Sequence, residues 1–182
     1  MIRRKNTKEL LGESIQELAK NLPVDRITIR EIVENCGLSP ATFYRHFRDK
    51  YELIAWVYNY QMEDIFLDFC EGAESWKQVL RDLVNILACD IRFYKNAFKN
   101  TGGQNSFLLA THSRCVELLT SAVIKEAGES ADEELLFDVR FYLQGISCSV
   151  ADWFLSDSPF TVEHLVDYIY QAMPEKLKPF LA

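Results

Sequence analysis

The apolar positions of this chain recur with helical spacing from one end to the other. Leu11, Ile15, Leu18 and Leu22 step by four and three residues until Pro23 ends the pattern, which predicts a helix over 7–20. Thr28 with Glu31 three residues on is a capping box, hydroxyl to a backbone N–H and carboxylate back again, so a helix starts at Ile29. Ile29, Ile32, Val33 and Cys36 share one face, and Gly37 can take the left-handed conformation that ends a helix. Ser39 is a good N-cap and Pro40 suits the first helical position, where its missing N–H has no partner to lose. A second helix therefore opens at Pro40. It buries Phe43 and Phe47, four apart, and leaves Ala41, Thr42, Tyr44, Arg45 and His46 on its outer faces or leading end.

Asp49 followed by Glu52 signals a further N-cap, and an apolar face through Leu53, Val57, Ile65, Phe66 and Phe69 carries a long helix to about Glu71. From Gly72 to Asn100 the periodicity of Val79, Leu83, Ile86 and Leu87 fits one helix, or two with a bend. Thr101-Gly102-Gly103 breaks the chain before a helix over 104–126, and Gly128 to Ala131 is a second turn. A pattern from Leu135 to Trp153 is closed by Ser156 to Pro159, and the last helix runs from Thr161 until Pro174 stops it. No strand pattern or internal repeat is visible. The expectation is an all-α fold of about nine helices: an N-terminal three-helix helix-turn-helix domain over 1–50, then a helical bundle over 51–182.

A short helix, a Gly-containing turn and a second helix bearing Thr, Tyr, Arg and His is the arrangement that sets its second helix in the DNA major groove. An ordinary helical hairpin with a solvated polar face carries the same outline. The residues themselves narrow the choice. The run G-L-S-P-A-T-F-Y-R-H-F-R-D-K-Y-E-L, with the helix before it, resembles the DNA-binding domain of the tetracycline-repressor (TetR/AcrR) family over about residues 6–60. The D-K-Y-E-L-I-A-W run and the closing M-P-E-K-L-K-P-F-L are similar to the branch that includes dihydroxyacetone kinase regulators.

The resemblance implies a reading domain in front of a larger bundle for ligand and dimer contacts. By the same resemblance Arg30, Pro40, Ala41 and Tyr44 stand where side chains meet base edges, and Thr28, Ser39, Thr42, Arg45, His46 and Lys50 where they meet the DNA backbone. Chemistry supports part of this: Arg30 can grip guanine O6 and N7 in a fork, and Pro40 and Ala41 are small enough to let the chain touch a thymine methyl. The implied partners are double-stranded DNA with a palindromic operator, a second copy of the chain, and a small-molecule effector or a partner protein of unknown identity. Repression is the expected outcome, with a co-activator or adaptor acting through a partner protein as the alternative.

Charge sharpens the division. The net charge of −7 looks wrong for a DNA binder, yet residues 1–50 hold ten Lys/Arg against seven Asp/Glu, and the other 132 residues hold ten against twenty. Phosphate affinity depends on the local basic groups, so +3 in front and −10 behind mark two jobs. Arg3, Arg4 and Lys5 form a basic arm that lies on DNA or is a solvated tail. Five widely spaced cysteines, Cys36, Cys70, Cys89, Cys115 and Cys148, without a C-x-x-C pair read as buried thiols in a reducing cytoplasm. No uninterrupted run of 18 apolar residues occurs, so a soluble, cytoplasmic protein with no membrane partner is expected.

The body offers candidates of its own. Trp76, Phe93, Tyr94, Phe98, Phe107, Phe141, Tyr142, Trp153 and Phe154 line an effector cavity or are simply core, with His112 and Cys115 beside them. His112 and Cys115 stand three apart, but two ligands without a third do not make a metal site, and neither a metal nor another cofactor is expected. Gly145, Cys148, Ser149 and Asp152 permit close helix approach, as a dimer seam or an internal contact. Val162, Leu165, Val166, Ile169 and Met173 supply the apolar surface of a dimer seam on the helix pair 132–155 and 161–173. An enzyme is not expected, since the chain shows no Ser/His/Asp set, phosphate loop or metal triad.

Overall fold

The computed structural model describes residues 5–156 and 160–181, so Arg3, Arg4 and the close of the turn at 157–159 lie outside the described residues. All regular structure among the described residues is helical. Three helices form the head: α1 (Thr7–Leu18), α2 (Ile29–Asn35) and α3 (Pro40–Tyr44). Thr28 closes its capping box with Glu31, and Ser39 accepts from the Thr42 amide, so both starts follow the local chemistry of the sequence. Gly37, at φ 70°, makes the left-handed turn between α2 and α3.

The second helix is shorter than its apolar spacing suggests: α3 has five residues, and Phe47 lies beyond it. Phe47 still donates its amide to Phe43 O at 3.0 Å, so the two rings share a face and both are buried. They meet Leu11, Ile15, Ile32, Val33, Leu53 and Ile54 in one core. Ser14, buried in α1, ties that core together by donating to Ile32 O at 2.7 Å.

Helix α4 (Lys50–Cys70), capped by Asp49, leaves the head and runs into the body. There it packs on α5 (Trp76–Cys89) and α7 (Phe107–Ala127), with α6 (Ile91–Asn100) alongside and α8 (Glu133–Leu155) against α7. The stretch that fits one helix or two is two, broken at Asp90, whose carboxylate caps α6 by accepting from Phe93 N. Helix α9 (Val162–Gln171) packs on α5, and a tenth helix, α10 (Lys178–Leu181), follows Pro174 where none is expected. It is too short to show a period, but Leu177 and Leu181 anchor it in the core. The expected nine helices, counting the break at Asp90, thus become ten among the described residues through this return.

The segment Phe107–Ser130 is long and apolar enough, by length and composition, to cross a membrane. In the fold α7 packs between α4 and α8, and Arg114 on it pairs with Glu63 and Glu117 at 2.7 Å each.

The joint between head and body depends on one close approach. A Cβ built on Gly12 of α1 would stand 3.2 Å from the indole of Trp56 and 3.3 Å from Val57 Cγ2 on α4. Gly12→Val should therefore overpack the joint and lower unfolding free energy by about 1–3 kcal/mol in a urea titration. Unchanged stability would show that the two helices separate freely.

Candidate nucleic-acid interface

The turn and the short second helix present a polar surface built from the backbone outward. Thr28, Arg30, Ser39, Pro40, Ala41, Tyr44 and Arg45 are exposed, while Thr42, His46 and Lys50 are half-buried. Tyr44 is 60 % exposed although it follows the buried Phe43, its ring edge-on to Phe43 at 5.6 Å between centroids. Ser39 and Thr42 hydroxyls lie 3.0 Å apart, and Arg45 donates to Thr42 Oγ1 at 3.3 Å. Along α3 the Ser39 and Thr42 hydroxyls and the Arg45 guanidinium are thus linked, with the exposed Tyr44 phenol beside them.

Two of the candidate cations are held differently. Arg30 donates Nε to Glu34, one turn along α2, at 2.7 Å, and that bond raises its pKa further, so it stays charged. The side chain remains 82 % exposed and keeps its terminal nitrogens for another partner. Lys50 donates Nζ to the carbonyls of Asp25 and Ile27, at 2.6 Å each. Burial lowers its pKa, countered by Asp25 and Glu31. Two of three ammonium protons therefore brace the turn before α2, and one is left for a phosphate. Lys5, expected in a free basic arm, pairs with Glu13 at 2.6 Å.

In the body the expected pocket residues divide between two spaces. Trp76, Phe98, Phe107, His112 and Cys115 line a small cavity of about 50 Å³ together with Tyr58, Thr111 and Ser147. Phe93 and Tyr94 are buried but do not line it; Tyr94 stacks behind Phe107 at 5.8 Å. Phe141, Tyr142 and Trp153 line a different space, an open groove of about 850 Å³ between α8 and α9. The period of α8 shows two apolar stripes, and sequence alone does not say that Tyr142 and Leu143 point inward while Phe137 and Phe141 point out.

The cavity is almost wholly apolar. His112 Nδ1 lies 3.0 Å from Ser147 Oγ, and burial lowers the imidazole's pKa, so it is neutral at pH 7. The Cys115 thiol, pushed up to about 12 by burial, lies 3.0 Å from Met62 Sδ and is not a thiolate. It alone of the five cysteines is buried as expected: Cys36 is half-buried, and Cys70, Cys89 and Cys148 are exposed on helix faces that do not meet the core. Among the described residues no group of three or more His, Cys, Asp or Glu stands ready for a metal.

The expected dimer residues divide as well. Leu165, Val166, Ile169 and Met173 are buried within their own chain, Leu165, Val166 and Ile169 on a helix packed on α5, and Val162 is half-buried. Much of their apolar surface covers the bundle of one copy, while Leu165 and Ile169 also reach the wall of the groove. Gly145 and Ser149 are exposed in the groove. Beside them stand Phe160 and Tyr168, which the sequence reading passed over; Tyr168 is 58 % exposed.

A family model described as "Bacterial regulatory proteins, tetR family" matches residues 15–57, and one described as "Transcriptional regulator C-terminal region" matches 74–175. No curated protein matches the sequence. Among solved structures, a TetR transcriptional regulator from Rhodococcus sp. RHA1 superposes with a TM-score of 0.67 at 17% identity, covering 96% of this chain and 98% of that one. The dihydroxyacetone kinase operon activator DhaS gives 0.63 at 18%, covering 97% and 98%. The fatty acid degradation regulator FadR from Bacillus halodurans gives 0.60 at 15%, covering 94% and 96%. At such identities these three carry the fold alone. With the helix-turn-helix geometry and the family matches over head and body, the chain belongs to the tetR family of bacterial regulatory proteins, DNA-binding regulators of transcription.

Proposed function

We propose that this chain is a homodimeric transcriptional repressor in which residues 1–50 read a palindromic operator and residues 51–182 dimerise and sense an effector. The observation that carries the reading is the outward row on α3: Ser39, Thr42, Tyr44 and Arg45 stand clear of the core that Phe43 and Phe47 fill. In this reading Arg30, Pro40, Ala41 and Tyr44 meet base edges, and Thr28, Ser39, Thr42, Arg45, His46 and Lys50 meet phosphates. Pro40 and Ala41 make few hydrogen bonds, so sequence preference rests on Arg30, Tyr44 and DNA shape.

One helix-turn-helix reads only a few base pairs, so useful specificity needs two heads about a helical turn apart. The groove on α8 and α9 is the surface for that pairing. Phe141 is 67 % exposed and stacks on Phe137 at 5.9 Å, and small residues beside them let a second copy approach. Such an apolar face is costly to leave in water.

A second reading keeps the DNA-binding dimer and replaces the small molecule with a protein partner. The small size of the cavity, about 50 Å³, favours it, since most ligand sites are several hundred Å³.

The test is binding to a duplex that the protein selects from a random pool, against an unselected duplex, over a salt series. The selected duplex should bind about 10³-fold or more tightly at moderate salt, with log affinity falling linearly in log salt. Equal affinity for both duplexes rules the reading out. Arg30→Ala should cost about 1–3 kcal/mol on the selected duplex and flatten preference at one position per half-site; an equal loss on every sequence would make Arg30 a phosphate contact.

Two substitutions separate seam from core. Phe141→Glu should keep helical circular dichroism and thermal stability while light scattering reports a monomer, because a charge at a two-fold contact meets its own copy. Ile169→Glu should instead unfold the chain, because the residue is only 7 % exposed within one copy. A folded dimer of Phe141→Glu would place the seam elsewhere.

A further inference from the structure

The turn that joins α1 to α2 is held from outside the head by one side chain of the body. Asn96, half-buried on α6, donates Nδ2 to Ala19 O at 2.9 Å and to Leu22 O at 2.7 Å. Its Oδ1 accepts from Val24 N at 2.9 Å and from Asn100 Nδ2 at 2.8 Å. A carboxamide has two protons to give and two lone pairs to fill, and here all four are used. Three of the four partners are backbone groups in the head, 72 to 77 residues away in sequence.

Those groups need a partner. Ala19 caps the C-terminal end of α1, where carbonyls have no helical donor, and Val24 follows Pro23 outside any helix. The same turn is gripped at its far end by Lys50, through Asp25 O and Ile27 O. The turn leads straight into Thr28 and α2, so a shift at 19–24 is carried to the reading helices. A second link, Gln16 Nε2 to Asp90 Oδ2 at 3.3 Å, joins α1 to the N-cap of the same α6. The start and the middle of α6 are therefore both tied to the head.

We infer that Asn96 is a positioning residue for DNA binding: through α6 it fixes the head against the body, and so sets the separation of the two heads in a dimer. The inference rests on the two-headed reading above. It also gives the effector site a route to DNA, because Phe98, two residues on along α6, stands in the cavity wall. Neither aspartate nor alanine replaces Asn96 without loss. Aspartate would turn an acceptor pair toward the Ala19 and Leu22 carbonyls, and alanine would leave three backbone groups unpaired.

The test uses the full chain and duplexes built from its selected operator, with the half-site separation lengthened or shortened by one or two base pairs, and with one half-site alone. The wild type should lose about tenfold or more in affinity when the separation leaves its optimum. Asn96→Ala should bind the single half-site within about twofold of wild type, yet hold its optimum less sharply, losing less than about threefold over the same series. Asn100→Ala, which keeps the three bonds to the turn, should follow the wild type.

A merely structural role would lower half-site and full-site binding together and leave the optimum where it was; that result overturns the inference. A wild type with no spacing optimum overturns the two-headed reading and the inference with it. Should Asn96→Ala fail to fold, the wild type still decides. Hydrogen exchange at the Val24 amide should be slowed about a hundredfold or more relative to an open chain, and free exchange there would show that the clamp does not hold.

Discussion

A helix of five residues has no stability of its own. Fixing a first turn costs more than its hydrogen bond returns, and isolated helices below about a dozen residues are marginal in water. The reading helix therefore exists only because Phe43 and Phe47 are buried beneath it, each contributing roughly 1.5–3 kcal/mol against about 1 for the Ser39 cap. Phe47 passes the constraint on: its ring meets Trp56 at 5.7 Å, and Trp56 stacks on Tyr60 at 4.9 Å along α4. Lys8 lays its ammonium over both Phe47 and Trp56, at 5.5 and 5.9 Å. Head and α4 are one hydrophobic unit, and the polar groups of α3 face outward because its two rings face inward.

That division of labour was written locally, and so the sequence shows it. Capping boxes and N-caps involve residues within three or four positions, and Thr28, Ser39 and Asp49 all cap the helices their neighbours announce. Asp90 is less plain, because a capping residue inside a continuous apolar period leaves a bend and a break equally open. The seam is hard to read for a related reason. Periodicity says that Leu165, Val166 and Ile169 form a stripe, but not whether that stripe meets its own bundle or another chain. Likewise Phe141 and Phe107 look alike in sequence, and only packing separates the ring at the groove from the ring at the cavity. Asn96 gave no signal, since a polar residue on a helix reads as solvated until partners some seventy residues away are seen.

The body then has two apolar spaces with opposite characters. The groove is open and flanked by aromatic side chains left in water, which suits association with a surface. The cavity is small, and its polar groups are already spent: Thr111 on Phe107 O, Tyr58 on Leu83 O, His112 on Ser147. Nothing charged lines it, so an anionic or cationic effector would be buried there without a counter-charge. α6 lies between this cavity and the head, carrying Phe98 toward one and Asn96 toward the other.

The central claim is that the outward face of the turn and α3 is the surface that meets DNA. Amide chemical-shift mapping tests it most directly, by titrating the isotope-labelled protein with the selected duplex and repeating at high salt. The account predicts that the largest changes cluster in residues 28–50 and collapse as salt rises. Changes confined to the body, or changes in 28–50 that are the same size at every salt concentration, would contradict it.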